Sequence, residues 1–429
     1  MKNLKYFSTA KLTKGFSIAL LLSLFIYLHG YGVPSPTLET LAGTVGLYLL
    51  LSSEAQVWFH TGLFIAVLWF GWITSSFSHY GFSEPLSYLA MSGVALVYGF
   101  LLYIPSRIVD FAQKRLHFPV APFGKALYLY FVGYIHPFGF DWFDPRLIFV
   151  DSWFGVDGIR FAIILLSLSL SISARTPAVS IAWLILLAGA IDTDRAHIVR
   201  EDPEKRIYLV TTSVPVEKKW SDMYARSVAR DVYEEIEKRI AEGYEVIVFP
   251  ESVIPFFLND SPETVERLSK YSHEIDIVIG ALYDDGGVNK NSAYHFYDGR
   301  YEVAHKVVLV PFGESNPLPD WASRIVNRIF FDGAPDYIPA SETTDFTIAS
   351  HSYRCAICYE GTSDRLYRDS PSRMILISNN GWFVPSIEPV LQSLLLKYRA
   401  RIHGTRIYHS VNMSPSYIVV PPKDGKKGR

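Results

Sequence analysis

The chain has 429 residues, 49% of them hydrophobic and 19% charged, with a formal net charge of −2 and an isoelectric point near 6.6. That balance carries no basic footprint, which argues against a nucleic-acid partner. The length allows two domains on the rule of roughly 100–200 residues each, and the only two cysteines, Cys355 and Cys358, stand together in one short run.

Aromatic and aliphatic residues crowd positions 1–191, and from Asp192 onward charges recur every few residues. The composition therefore divides the chain into residues 1–191, residues 192–420 and a polar, basic tail at 421–429. Runs 16–31, 38–52, 57–75 and 86–104 are apolar with few or no charges, close to the roughly 20 residues that cross a hydrocarbon core. Run 121–137 is a fifth candidate, with Lys125 one turn inside and a stem long enough to snorkel to the interface. Runs 159–174 and 177–191 meet at Ala174-Arg175-Thr176-Pro177 and read as a helical hairpin, which makes seven spans.

Charge then orients the chain. Lys2, Lys5, Lys11, Lys14, Arg107, Lys114, Arg115 and Arg175 fall on one side of seven spans, against Arg146 and Arg160 on the other. The positive-inside rule places the N-terminus in the cytoplasm, and an odd count delivers the second domain to the periplasm of a Gram-negative cell. No small-x-small site follows Tyr27-Leu28-His29-Gly30, so the first run reads as a retained anchor of an inner-membrane, multi-pass protein.

From Arg206 onward, short β-rich runs alternate with amphipathic helices. Strands are expected at 207–212, 246–249, 275–282, 301–310, 346–348, 353–358, 374–378, 407–411 and 417–420 from their aliphatic and β-branched content. A helix is expected over 218–242, where Tyr224, Val228, Val232, Ile236 and Ile240 share a face. Ser261-Pro262-Glu263 looks like a helix start, and 385–401 a third helix. Strands separated by helices in this way indicate a layered α/β domain.

Three short runs in it carry chemistry. Val248-Phe249-Pro250-Glu251-Ser252 offers a carboxylate at a strand end, and a run opening at His305-Lys306 and closing at Pro311-Phe312-Gly313-Glu314 offers a lysine and a second carboxylate. Arg354-Cys355-Ala356-Ile357-Cys358-Tyr359-Glu360 offers a thiol. A thiolate attacks acyl carbons but needs a base or nearby cation, because a free cysteine has a pKa of about 8.5. Glu251 suits a general base, Lys306 a stabiliser of thiolate and oxyanion, and Glu314 a partner that keeps the lysine charged. The bland readings are a solvated turn for Glu251, a snorkelling lysine and a core cysteine. Cys355 and Cys358 also match a C-x-x-C redox pair or half a zinc site, although no second cysteine pair exists to complete one. On a continuous strand the two face opposite sides, so Cys355 is taken as core and Cys358 as reactive. Metal and organic cofactors are not indicated.

Phe-Pro-Glu-Ser, Lys-Val-Val-Leu-Val-Pro-Phe-Gly-Glu and Ile-Cys-Tyr-Glu, in that order, resemble the nitrilase superfamily with its Glu-Lys-Cys triad on an α-β-β-α sandwich. With the multi-span region in front, the chain resembles the bacterial apolipoprotein N-acyltransferase family, in a form without the usual final membrane helix. The resemblance implies Glu251 as base, Lys306 as oxyanion stabiliser, Cys358 as nucleophile and Glu314 as accessory acid. It further implies Tyr359 and Glu360 at the acyl pocket and Trp220 as the substrate-gating tryptophan. The run Ile135-His136-Pro137-Phe138-Gly139-Phe140-Asp141-Trp142 resembles an interfacial arm or a helix end. Two elements depart from the family: Asn379-Asn380-Gly381-Trp382-Phe383 lacks an aspartate, and Ala400-Arg401-Ile402-His403-Gly404-Thr405-Arg406 lacks an acidic member. The implied reaction moves an acyl chain from a phospholipid through a Cys358 thioester to the α-amino group of a diacylglyceryl-cysteine lipoprotein. A membrane-tethered amidase, or an acyltransferase acting on another amine, is the alternative.

Overall fold

A computed structural model describes residues 9–79, 83–116, 119–316 and 337–423. Two units emerge, one of Met1–Pro137, Asp141–Arg195 and Pro385–Tyr398, the other of Phe138–Phe140, Ala196–Val384 and Arg399–Arg429. They exchange two segments that no change of composition marks.

The first unit is helical: α1 Thr9–Gly30, α2 Pro36–Leu51, α3 Ala55–Phe70, α4 Ile73–His79, α5 Glu84–Gln113, α6 Ala121–Val132, α7 Gly158–Ser173 and α8 Pro177–Trp183, which continues as a 3-10 turn over Leu184–Ala190. Polar side chains start these helices. Asp157 accepts from the N–H groups of Ile159 and Arg160, and Ser35 and Thr176 cap α2 and α8 ahead of Pro36 and Pro177. The expected run 57–75 breaks at Gly71 into α3 and α4, so it is not one continuous span. Among the described residues only α1 and α5 have both the length and the apolarity to cross a bilayer by themselves.

The outward faces are nonetheless apolar, with Leu20, Leu41, Phe100, Ile104, Leu127 and Ile185 exposed, a surface that suits lipid better than water. Helices meet through small residues, as packing in lipid favours: a Cβ on Gly62 of α3 would stand 2.3 Å from the Tyr98 carbonyl oxygen of α5. Lys125 does not snorkel. It is 3% exposed, pairs with Asp110 of α5 and donates to the Ser53 carbonyl at 2.7 Å, so its ammonium is held inside the bundle. Residues 385–398 join this unit through Lys397, which pairs with Asp151, and through the Tyr398 hydroxyl, which donates to Asp144 at 3.0 Å.

The second unit is an α/β sandwich. Its strands are β1 His197–Val199, β2 Ile207–Leu209, β3 Thr211–Thr212, β4 Val246–Val248, β5 Ile254–Phe257, β6 Asp276–Asp284, β7 Asn289–Tyr297, β8 Arg300–His305, β9 Asp345–Ile348, β10 His351–Ile357, β11 Arg373–Asn379, β12 Arg406–Asn412 and β13 Tyr417–Val420. Its helices are α9 Val216–Lys219, α10 Asp222–Ala241, α11 Pro262–Tyr271 and the end of α12, Glu388–His403. One sheet runs β1-β13-β12-β11-β10-β9 with β3 beside β12, and the other β2-β4-β6-β7-β8 with β5 beside β6. Between the sheets lies a core of Val246, Val248, Val278 and Ala293 against Cys355, Ile357, Ile375 and Tyr408. On the far face of the second sheet, Ile247, Ile277, Ile279 and Phe296 pack under Val228, Val232 and Ile236 of α10 and Leu268 of α11. Apolar residues on both faces of these strands explain why their sequence reads as unbroken hydrophobic runs.

Strands β1, β5 and β7 were not expected, and several boundaries move. β7 opens on Asn289-Lys290-Asn291, which reads as a turn, yet it pairs antiparallel with both β6 and β8. Its buried polar groups are met across the sheet, His295 by Glu302 at 2.9 Å and Ser292 by His305 at 2.7 Å. The run 301–310 leaves the sheet at His305. The expected helix 218–242 is interrupted at Trp220, after which Ser221 caps α10.

Candidate active site

All three chemical runs leave their strands at the same kind of place. β4 is parallel to β6, β6 and β8 both pair antiparallel with β7, and β10 is parallel to β11. Glu251, Lys306 and Cys358 follow the C-terminal ends of β4, β8 and β10 respectively, the edge at which parallel sheets present ligand sites. Two of these exits need a left-handed backbone, with φ +47 at Ser252 and φ +57 at Cys358, and Phe312, two residues before Glu314, has φ +62. None is glycine, and such strain persists only where surrounding structure over-determines it. The expected strand 353–358 therefore stops one residue early. Cys358 is set apart from Cys355 by this turn, and strand alternation does not separate them.

The polar centre is built around Lys306, which is 2% exposed. Its Nζ lies 2.8 Å from the Glu314 carboxylate and 3.8 Å from Glu251 Oε1. Burial works against its charge, but Glu314, Glu251 and Cys358 together hold its proton more tightly than usual, so it acts as a fixed cation. The other Glu314 contacts keep that carboxylate in place: Val310 N–H at 2.9 Å and Asn291 Nδ2 at 3.2 Å. The same Asn291 amide donates to Glu251 Oε1 at 2.7 Å and bridges the two acids. The Lys306 N–H bonds the Asn291 carbonyl at 3.0 Å, so β7 fixes lysine and bridge together. Asn291 escaped sequence reasoning because its strand did.

Behind Glu251 the backbones touch. A Cβ on Gly280 of β6 would lie 2.6 Å from Ser252 N and 2.7 Å from Glu251 Cα, so only glycine lets the Glu251 turn close onto the sheet. A second lysine also went unnoticed. Lys219, 1% exposed, donates to the Glu251 carbonyl at 2.8 Å. Its neighbour Trp220 lies in the break between α9 and α10 and is 43% exposed.

Glu360 is 2% exposed and turned onto the main chain. Its Oε1 accepts from Ile357 N–H at 2.8 Å, and its Oε2 from Val307 N–H at 2.8 Å and Val308 N–H at 3.1 Å. It thus ties the residue before Cys358 to the two residues after Lys306. Burial pushes its carboxyl up to about 7, against the pull of Lys306 and those three donors. Cys355 is buried in the inter-sheet core and its thiol is pushed well above the ordinary range, chiefly by burial, which disfavours the thiolate. Tyr359 stacks on Phe140 at 5.7 Å and its hydroxyl donates to the Gly139 carbonyl at 3.3 Å, while Phe138 meets Phe312 edge-on at 5.7 Å. Residues 138–140, part of the run 135–142 expected as an interfacial arm or helix end, pack on neighbours of Cys358 and Glu314. Among the described residues no group of three or more His, Cys, Asp or Glu side chains is arranged to hold a metal.

The family model for the apolipoprotein N-acyltransferase integral membrane domain matches residues 9–193. An apolipoprotein N-acyltransferase of Wolinella succinogenes is 38% identical over 94% of this chain and 94% of its own. The chain belongs to the apolipoprotein N-acyltransferase family. A Helicobacter pylori member of the family is 34% identical over 92% of this chain and 91% of its own. Among solved structures, an amidase from Nesterenkonia sp. is similar over 54% of this chain and 95% of that chain, with 12% identity and a TM-score of 0.38. The protein is accordingly an N-acyltransferase with an integral membrane domain, as its motifs implied.

Proposed function

We propose that this enzyme takes its acyl chain from a phospholipid, carries it on Cys358 as a thioester and delivers it to the α-amino group of a diacylglyceryl-cysteine lipoprotein. The observation that carries the reading is the buried ammonium of Lys306 between Glu251 and Glu314, at the strand ends where Cys358 is held in a left-handed turn. Glu251 takes the thiol proton as the Cys358 sulfur attacks the sn-1 ester carbonyl. Lys306 meets the oxyanion, and the proton passes to the departing lysophospholipid. In the second half the neutral amine attacks the thioester, Glu251 takes its proton, and the thiolate leaves and is reprotonated. Two half-reactions on one nucleophile make ping-pong kinetics. Glu314 and Glu360 act by positioning, Trp220 and Tyr359 by contact with substrate. Both substrates are lipids, which agrees with an inner-membrane enzyme whose catalytic unit faces the periplasm.

The test is intact mass after incubation with phosphatidylethanolamine. An acyl-sized gain that hydroxylamine removes and that Cys358→Ala lacks is the expected result. Folded wild-type protein that gains no mass from phosphatidylethanolamine, phosphatidylglycerol or cardiolipin overturns the reading.

A further inference from the structure

Lys219 stands in the same centre with no role in the triad. Its side chain is buried, and among the described residues its one hydrogen bond goes to the Glu251 carbonyl at 2.8 Å and it forms no ion pair with a carboxylate. A buried, unneutralised ammonium is costly unless the site needs its charge. Its aim is also built in. Asn412 of β12 clamps Val214 from both sides, accepting from its N–H at 2.9 Å and donating to its carbonyl at 2.8 Å. The single turn of α9 then begins two residues later and carries Lys219 to Glu251. Without Lys219, Glu251, Glu314 and Lys306 sum to one negative charge before any oxyanion forms. With it those four side chains sum to zero, and Glu360, beyond Lys306, adds a negative charge only above about pH 7.

We propose that Lys219 is a positioning residue of the acyl-transfer site: it pins the main chain of Glu251 and supplies the second positive charge against which Cys358 becomes a thiolate. The inference rests on the triad reading above. Glu251 and Cys358 are the groups that face this ammonium; Lys306 and Glu314 lie beyond Glu251, and Lys218 on its own element turns to the Tyr224 ring. Burial lowers Lys219 to about 8 while Glu251 and Cys358 hold it up. The ammonium is therefore present below that pH and lost above it, whereas Lys306 stays charged.

The experiment measures single-turnover acylation of Cys358 by phosphatidylethanolamine, read by intact mass, as a function of pH without acceptor. Wild type is expected to slow above about pH 8. Lys219→Met is expected to be about 100-fold slower near pH 7, as for loss of one preorganised donor, and to show no decline tied to this group. Lys219→Arg, which cannot deprotonate, should recover most of the rate and stay flat through pH 9. A Lys219→Met protein as fast as wild type, or an alkaline decline shared by wild type and Lys219→Arg, overturns the proposal. A Lys219→Met protein that does not melt cooperatively leaves the decision to the Lys219→Arg profile. Adduct that persists in Cys358→Ala would instead sink the triad reading.

Discussion

Replacing Glu360 by glutamine changes one atom of the strap that joins the Cys358 turn to the Lys306 loop. Above about pH 7 the carboxylate is ionised and takes three main-chain N–H groups. Glutamine has a single acceptor oxygen. Its better orientation keeps Val307 and Val308 and turns an amide N–H₂ toward the Ile357 N–H, so a buried donor is left facing a donor. One unpaired buried N–H costs about 1–3 kcal/mol, and the two surviving bonds lose their charge assistance, which roughly halves each. The sum is about 3 kcal/mol, but glutamine is spared the burial of a charge, about 1.4 kcal/mol per unit of the rise from 4.5 to about 7, so the two nearly cancel in melting temperature at pH 8 and the acylation rate decides. The displaced residue is Ile357, directly before the left-handed Cys358, so acylation should slow. Thermal unfolding at pH 8 and the intact-mass rate check both effects. A Glu360→Gln protein with wild-type acylation would refute the assignment of Glu360 to backbone anchoring.

Two further outcomes follow from packing and burial. Gly280→Ala drives a Cβ to 2.6–2.7 Å from backbone atoms of Pro250, Glu251 and Ser252; about 1–3 kcal/mol of stability should be lost and Glu251 displaced, which paired melting and acylation measurements will show. His409, 0% exposed with Nε2 2.7 Å from Ser378 Oγ, is lowered by burial from 6.5 to about 3. Unfolded chain takes up that proton below pH 6.5 and native protein does not, so its stability is whole above 6.5 and falls toward pH 3 by about 1.4 kcal/mol per unit. His409→Gln should flatten that acid slope in melting temperature, and an unchanged slope would refute the assignment.

Much of the candidate site was legible because the chemistry proposed for it needs particular side chains at strand ends. A lone proline-glutamate after a hydrophobic strand, a lysine and glutamate astride Pro311-Phe312-Gly313, and a scarce cysteine are local signals, and the family resemblance they carried agrees with the relatives found. Asn291 and Lys219 carried no such signal. An asparagine in a turn-like run and a lysine among Lys218-Lys219-Trp220 look solvated, and only β7 pairing and the Asn412 clamp bring them to Glu251. Lys125 misled for the converse reason, since its partner Asp110 sits on another helix.

The linear pattern by itself determined the division into an apolar and a mixed region, the α/β class, and the residue types able to run acyl transfer, because periodicity and composition act over a few neighbouring residues. Tertiary structure alone decided which polar groups share a centre, that Glu360 braces backbone, that residues 138–140 pack on Tyr359 and Phe312, and that Cys358 turns out of its strand. Those outcomes depend on contacts across sheets and on buried charges finding partners far along the chain, and such energies have no local imprint.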